Sequence, residues 1–156
     1  MQTIVDNPDR AFLECVISEA RFDIPLELTA GLSALSARLV KGQPGTVELS
    51  FEAPATTIQG NGVVCGGTLM TMLDYAMAFA VLSKLPCGQT CATTSITVNM
   101  QAAARPSLLK AVASVERVGR QIAFAKAELY DPQRELLVAS ASATFLVMAV
   151  NRFQAA

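Results

Sequence analysis

The alternation of apolar and polar residues divides the chain into a helical start, two strands, one almost unbroken apolar segment and a strand-rich second half. Asp6-Asn7-Pro8 reads as a helix start, with Asn7 as the cap and Pro8 in the first turn, where its missing N–H is not needed. Phe12, Leu13, Val16, Ile17 and Ala20 then share one helical face, and the helix is expected to end near Arg21, ahead of Ile24-Pro25. Leu26–Gly31 fits neither period. Ala34–Lys41 and Thr46–Phe51 are the expected strands, on either side of the turn Gly42-Gln43-Pro44-Gly45. The second alternates cleanly, Val47, Leu49 and Phe51 against Thr46, Glu48 and Ser50, and Glu52–Gly62 is a loop by its Pro, Thr, Gly and Asn content.

The apolar segment Val63–Ser83 predicts a helix from about Gly66 to Ser83, apolar all round and so buried on nearly every side. Its one charge is Asp74. Between Lys41 and Lys84 the only other charged residues are Glu48 and Glu52, so no neighbour in sequence neutralises it. Burying an unpaired carboxylate is costly. Asp74 is therefore a functional group, a polar spot paired by a tertiary contact, or a sign that the helix is not fully buried.

After Pro86-Cys87-Gly88 the period changes to two. Thr90–Ala102 sets Ala92, Thr94, Ile96, Val98 and Met100 against Cys91, Thr93, Ser95, Thr97 and Asn99. Ser107–Val118 and Gln121–Tyr130 flank a tight turn at Gly119-Arg120. Asp131-Pro132-Gln133-Arg134 is the next turn, and Leu136–Val150 the last strand. Hairpin-linked strands around one buried helix define an α+β class, a largely antiparallel sheet wrapped around a long central helix. The expectation is one domain over 1–156, with an N-terminal helical segment at 1–32 and the core at 33–150.

Composition sharpens this picture. Apolar residues make up 52% of the 156 and charged residues 16%, more apolar surface than a monomer of this size hides, so an oligomer interface or a large groove is expected. The net charge of −1 and the lack of a basic tract argue against nucleic acid. Met1–Arg10 lacks the basic and apolar regions of a secretory signal, and a membrane span at Gly66–Ser83 is disfavoured by Asp74, by the Cys-Gly-Gly start and by the absence of basic or aromatic flanks. Cys15, Cys65, Cys87 and Cys91 have no framework spacing and read as reduced thiols of a cytoplasmic protein. Cys87 and Cys91 lack a second pair or a His to complete a metal site. The chain has no histidine at all, which removes Ser-His-Asp and Cys-His nucleophile systems and His-based dehydratases together. Acid–base chemistry must then rest on a carboxylate, Lys, Tyr or Cys.

A Gly-Gly pair opening a buried helix, an acidic residue a little over two turns in, and four long strands after it resemble the hotdog fold. The stretch Cys65-Gly66-Gly67-Thr68-Leu69-Met70-Thr71-Met72-Leu73-Asp74 is closest to its acyl-CoA thioesterase branch, typified by the phenylacetate-degradation and 4-hydroxybenzoyl-CoA thioesterases. Ala104-Arg105-Pro106 resembles the bend between that family's third and fourth strands, and Val115-Glu116-Arg117-Val118-Gly119-Arg120 its R-x-G-R hairpin. The likeness runs from about Ala34 to Val150. It departs at Cys65, where the family usually has His; in this branch that His is not generally the base, so the change implies tuning.

The resemblance implies hydrolysis of an acyl-CoA thioester to free acid and CoA. Asp74 is the principal group, as general base for water or as direct nucleophile. Free N–H groups of Gly66 and Gly67 at the helix start suit a developing oxyanion, an effect of about 3 kcal/mol per donor, and the resemblance favours Gly66. It also implies that Gln59, seven residues earlier, or Asn61 from the same loop holds the thioester or the water, and that Thr93 positions the water. Arg117, Gly119 and Arg120, with Arg105 and Lys110, are candidates for the CoA phosphates, which suit the planar guanidinium fork. Cys65 at the helix start has a nucleophile's position but no base partner. Each of these residues also has a plain structural role available, in packing or at a solvated strand end. No cofactor is implied beyond CoA as part of the substrate, and no metal. The expected assembly is a homodimer sharing its sites, or a dimer of dimers, in which Gly66 and Asp74 of one site come from different copies. The alternative is a non-catalytic acyl-CoA-binding or sensing module. The acyl group, and CoA against an acyl carrier protein, are left open.

Overall fold

Asn7 caps the first helix, α1 (Pro8–Ser18), its side chain accepting from the Arg10 N–H while Pro8 occupies the first turn. The computed structural model describes residues 5–152; residues 1–4, part of the stretch read for a secretory signal, and 153–156 lie outside them. The helix ends sooner than the expected Arg21. Ala20 takes a left-handed φ of 49°, its N–H returning to Ile17 and that of Arg21 to Val16. These two bonds form the closure in which glycine is usual; an alanine there gives no signal in the sequence, and Ala20 is exposed rather than on the apolar face.

The chain continues through β1 (Ile24–Pro25), α2 (Ala30–Ala34), β2 (Arg38–Gln43), β3 (Thr46–Glu52), α3 (Gly66–Leu82), β4 (Gln89–Met100), β5 (Leu108–Val118), β6 (Ile122–Asp131) and β7 (Leu136–Ala149). The strands form one seven-stranded antiparallel sheet in the order β1-β2-β3-β5-β6-β7-β4, with α3 packed across one face. The expected strand from Ala34 starts late, because Thr29 caps α2 through the Leu32 N–H and Ser36 turns the chain at φ 47°. β2 then runs to Gln43, which pairs Thr46, so the turn shrinks to Pro44-Gly45 with Gly45 at φ 87°. The β5–β6 turn also shifts by one residue. The Gly119 N–H donates to the Ile122 carbonyl at 2.8 Å, leaving Arg120-Gln121 at the tip, and a Cβ on Gly119 would lie 3.0 Å from that carbonyl.

Alanines dominate the inner layer of β5, β6 and β7: Ala111, Ala113, Ala123, Ala125, Ala127, Ala139 and Ala143 are all buried. Small side chains on the sheet leave the space to be filled from the helix, by Met72, Leu73, Met77 and Phe79. α1 is tied beside α3 by Arg10, which is buried yet fully paired. Its guanidinium donates to Asp6, to Glu14 and to the Leu85 carbonyl, while Asp6 also accepts from the Gly88 N–H. Hydrogen bonding to Arg10 holds the Asp6 carboxyl well below the usual carboxylate range.

Two expectations fail in ways that matter for the site. First, α3 is not enclosed. Gly67, Met70 and Thr71 are exposed and Asp74, Tyr75 and Ala78 half-buried, a stripe at helical spacing along its outer side. Asp74 lies on that stripe. Second, β4 does not keep one parity. A bulge between Thr93 and Ser95 leaves Thr94 unpaired, its hydroxyl bonded instead to Thr144. Before the bulge Cys91 and Thr93 pair the inner-layer residues Val147 and Phe145; after it Ile96, Val98 and Met100 pair Ala143, Ala141 and Ala139. The even-numbered face expected for the whole strand is correct only beyond the bulge. Among the described residues no helix is long and apolar enough to cross a membrane.

Candidate active site

The start of α3 is held from two sides. The Val64 N–H donates to Ala104 and the Cys65 N–H to Thr57, fixing Cys65 at the cap with φ −66° and ψ 147°. No side chain caps the helix, and neither the Gly66 nor the Gly67 N–H donates to a carbonyl. Free N–H groups at a helix start carry the positive end of its dipole. Gly66 opens on a cleft of about 390 Å³ whose other walls are Gln59, Val63, Val64, Leu69 and the turn from Met100 to Ala104. Gln59 thus lines the same cleft as Gly66, its backbone bonded to Val63 and Gly62; Asn61, its competitor, is exposed and outside the cleft walls. A slightly larger cleft of about 420 Å³ lies between Phe22 and the β2–β3 hairpin. Its charges are already matched, Glu48 bridging Lys41 and Lys110, and it holds no candidate residue.

Two turns along the helix, Asp74 accepts a 2.8 Å hydrogen bond from Thr93 on β4. The tertiary contact that a lone carboxylate requires is therefore a hydroxyl, and Asp74 is half-exposed rather than sealed in apolar surroundings. Cys91, two residues before Thr93, sits one helical turn along, beside the Ala78 carbonyl. Burial, with the Asp74 charge, pushes its thiol up to about 12. The Cys65 thiol goes the other way. The Thr68 hydroxyl 3.0 Å from its Sγ lowers it, with a smaller pull from N–H groups of the first helical turn, none of which closes a capping bond to the sulfur.

Gly66 and Asp74 are eight residues apart on one straight helix, about 12 Å along its axis at 1.5 Å per residue. One chain does not bring them together. Nor does it bring the hairpin cations to the cleft. Arg117 pairs Phe124 on the outer face, and Gly119 and Arg120 sit at the sheet end where Gln121 meets Val147, away from the α3 start. Lys110 is held by Glu48 at 3.0 Å on the same outer face. Arg105 is placed differently: it is exposed and follows Ala104, part of the cleft wall. Sequence reasoning passed over Met100 and Leu69 as core positions. The bulge that brings Met100 inward has no marker beyond a run of three small polar residues, Thr93-Thr94-Ser95.

These features define a class, and comparison with known proteins agrees. Residues 61–138 match the model of the thioesterase superfamily. Among solved structures, the chain is similar to a thioesterase family protein from Silicibacter pomeroyi at 25% identity and TM-score 0.76, covering 90% of this chain and 98% of that one. A phenylacetic acid degradation-related protein from Ralstonia eutropha JMP134 matches at 28% identity and TM-score 0.74, with 90% and 99% covered. The PaaI protein of the phenylacetic acid degradation operon of E. coli, at 20% identity and TM-score 0.75 over 88% and 95%, shares the fold. Comparison with curated proteins gives no match.

The chain belongs to the thioesterase superfamily, with the hotdog fold of an antiparallel sheet around a long helix. That membership supports thioester hydrolysis as its class of reaction.

Proposed function

We propose that the protein hydrolyses acyl-CoA thioesters in a site assembled from two copies of the chain, in the cytoplasm. The observation that carries this reading is the division of the chemistry along α3: a free N–H donor at Gly66, and about 12 Å away a carboxylate on an open stripe, oriented by Thr93. β4 is an edge strand of twelve residues with no partner on its outer side among the described residues. Antiparallel pairing of two such edges about a two-fold axis carries each open stripe toward the other helix start. Two dimers then pack as a tetramer.

In that site the thioester oxygen lies on the Gly66 N–H, with the Gln59 amide beside it. Thr93 occupies one lone pair of Asp74 Oδ1 and leaves Oδ2 for the reacting water. Asp74 takes a proton from water as the O–C bond forms; the tetrahedral oxyanion collapses, the C–S bond breaks, and CoA leaves as the thiolate. The alternative route has Asp74 attack the carbonyl itself, giving an anhydride that water opens. Cys65 and Gly67 flank the thioester, Asn61 the loop above it, and Arg117, Gly119 and Arg120 of the second copy meet the CoA phosphates. No cofactor or metal takes part beyond CoA.

The test uses thiol release from a panel of acyl-CoAs with wild type, Asp74→Asn and Gly66→Pro. Proline is tolerated at a first helical position, and the extended Cys65 before it suits it, so Gly66→Pro removes little besides the N–H. Each variant is expected to lose about a hundredfold or more. Refolded together, half of the dimers are mixed and carry one intact site each, restoring up to about a quarter of wild-type activity. No recovery on mixing refutes the shared site, and tight acyl-CoA binding without cleavage by wild type refutes catalysis in favour of a binding module.

A further inference from the structure

The cleft at Gly66 has a cover. Met100, the last residue of β4, is 46% exposed, yet its Cε lies 3.5 Å from the point where a Cβ on Gly66 would stand. Its side chain therefore rests against Gly66, the residue that opens α3 on the cleft. Its partner across the strand is Ala139, which offers no bulk to hold it there. A methionine has three flexible side-chain bonds and adapts to irregular apolar shapes. The strand geometry that aims it is specific: with regular alternation from Thr93, Met100 would point to the opposite face, and only the bulge at Thr94 lets both residues face α3.

The other walls say what the cover closes on. Val63, Val64, Leu69 and Ala104 are apolar, Gln59 and Gln101 supply amides, and among the described residues no charged side chain lines the cleft. Arg134, which donates to the Ala103 carbonyl at 3.1 Å, and Arg105 stand outside these walls, so a carboxylate drawn in against Val63, Val64 and Leu69 would leave both cations behind and lose its water.

We propose that Met100 is the specificity gate of this cleft: its side chain swings off Gly66 to admit an uncharged acyl group and sets how long or bulky that group is. The proposal rests on the reading of the cleft as the thioester site. Closed, Met100 shields the Gly66 N–H from water; open, its Sδ and Cε form one wall against the acyl chain. Truncation to alanine removes three heavy atoms, room for about three methylenes, and one methylene in an apolar pocket changes selectivity by about tenfold or more.

The experiment measures kcat/KM for straight-chain acyl-CoAs of two to twelve carbons, a benzoyl-type ester and a succinyl-type ester, with wild type, Met100→Ala, Met100→Leu and Met100→Phe. S-alkyl-CoA thioethers of the same lengths, which are not hydrolysed, are titrated by calorimetry in parallel. Met100→Ala is expected to move the preferred chain about three carbons longer and to raise discrimination in favour of the longer esters about tenfold. Met100→Phe moves it shorter, Met100→Leu stays near wild type, and the succinyl-type ester is the poorest substrate of all four proteins. Thermal denaturation is expected to show all three folded, since the side chain is half outside. A length profile unchanged in Met100→Ala, with wild type active, overturns the gate alone. If wild type cleaves nothing, the thioether profiles decide the gate while the hydrolase reading falls. If neither esters nor thioethers engage, both are overturned.

Discussion

Replacing Thr93 by valine removes one hydroxyl and keeps the β-branched shape that suits a strand. What is lost is the 2.8 Å hydrogen bond to Asp74 Oδ1. A hydrogen bond to a charged group contributes about 1.5–3 kcal/mol where water is excluded. Here Thr93 is exposed and Asp74 half-buried in the single chain, so water competes and the lower end applies, about 1.5 kcal/mol, or roughly a tenfold fall in rate. In the proposed site the hydroxyl acts only through the Asp74 carboxylate, so the loss belongs in kcat and KM should stay within about twofold. Thr93→Ser keeps the donor and should retain at least half of the wild-type kcat. In an Asp74→Asn background the proposed proton acceptor is already gone, and Thr93→Val should cost less than twofold more, a coupling of about 1 kcal/mol between the two positions. Steady-state thiol release on the four proteins reads all of this. Full activity in Thr93→Val, or a Thr93→Ser as slow as the valine, would show that the contact merely solvates a strand residue and would refute the assignment.

Two further outcomes test other parts of the structure. Asp6→Asn should destabilise by about 2 kcal/mol at neutral pH, since Arg10 is buried but keeps Glu14 and the Leu85 carbonyl. Because the folded carboxyl titrates below its unfolded value near 3.9, that advantage is complete above about pH 4 and shrinks as acid protonates the folded form, so the two melting curves should converge at low pH. Alkylation with iodoacetamide at pH 8, read by mass spectrometry, should modify Cys65 well before Cys91, whose thiol sits at about 12, and Asp74→Asn should speed Cys91 by removing one of the two causes. Equal rates at the two thiols would contradict these environments.

Much of the fold was legible because its signals are local and strong. The apolar run from Gly66, the Val47-Leu49-Phe51 alternation and the Asp131-Pro132 turn each declared an element within a residue or two. What escaped was set by tertiary context. Ala20, Ser36 and Glu135 adopt left-handed backbone that would advertise itself only in a glycine or asparagine. The apolar surround of α3 suggested burial on every side, whereas the chain leaves its Gly67–Ala78 stripe uncovered. In the site, Gln59 was named from its spacing before Gly66 and from resemblance, and Thr93 from resemblance, but the bond from Thr93 to Asp74 was not legible in the sequence. Nor was Met100, because one unpaired residue upstream decides which way it faces.

The strand order also imposes a timetable. β4 leaves the ribosome directly after α3, but among the described residues its one hydrogen-bonded neighbour is β7, made only after β5 and β6. Until then the nascent chain carries an apolar helix and a long strand with both edges bare, a window for mispairing that no local hairpin closes. Thr93 and Asp74 can meet in their final geometry only when β7 arrives to anchor β4. That contact is therefore among the last to form, and a truncation before Leu136 leaves a chain with every candidate residue and no way to align them.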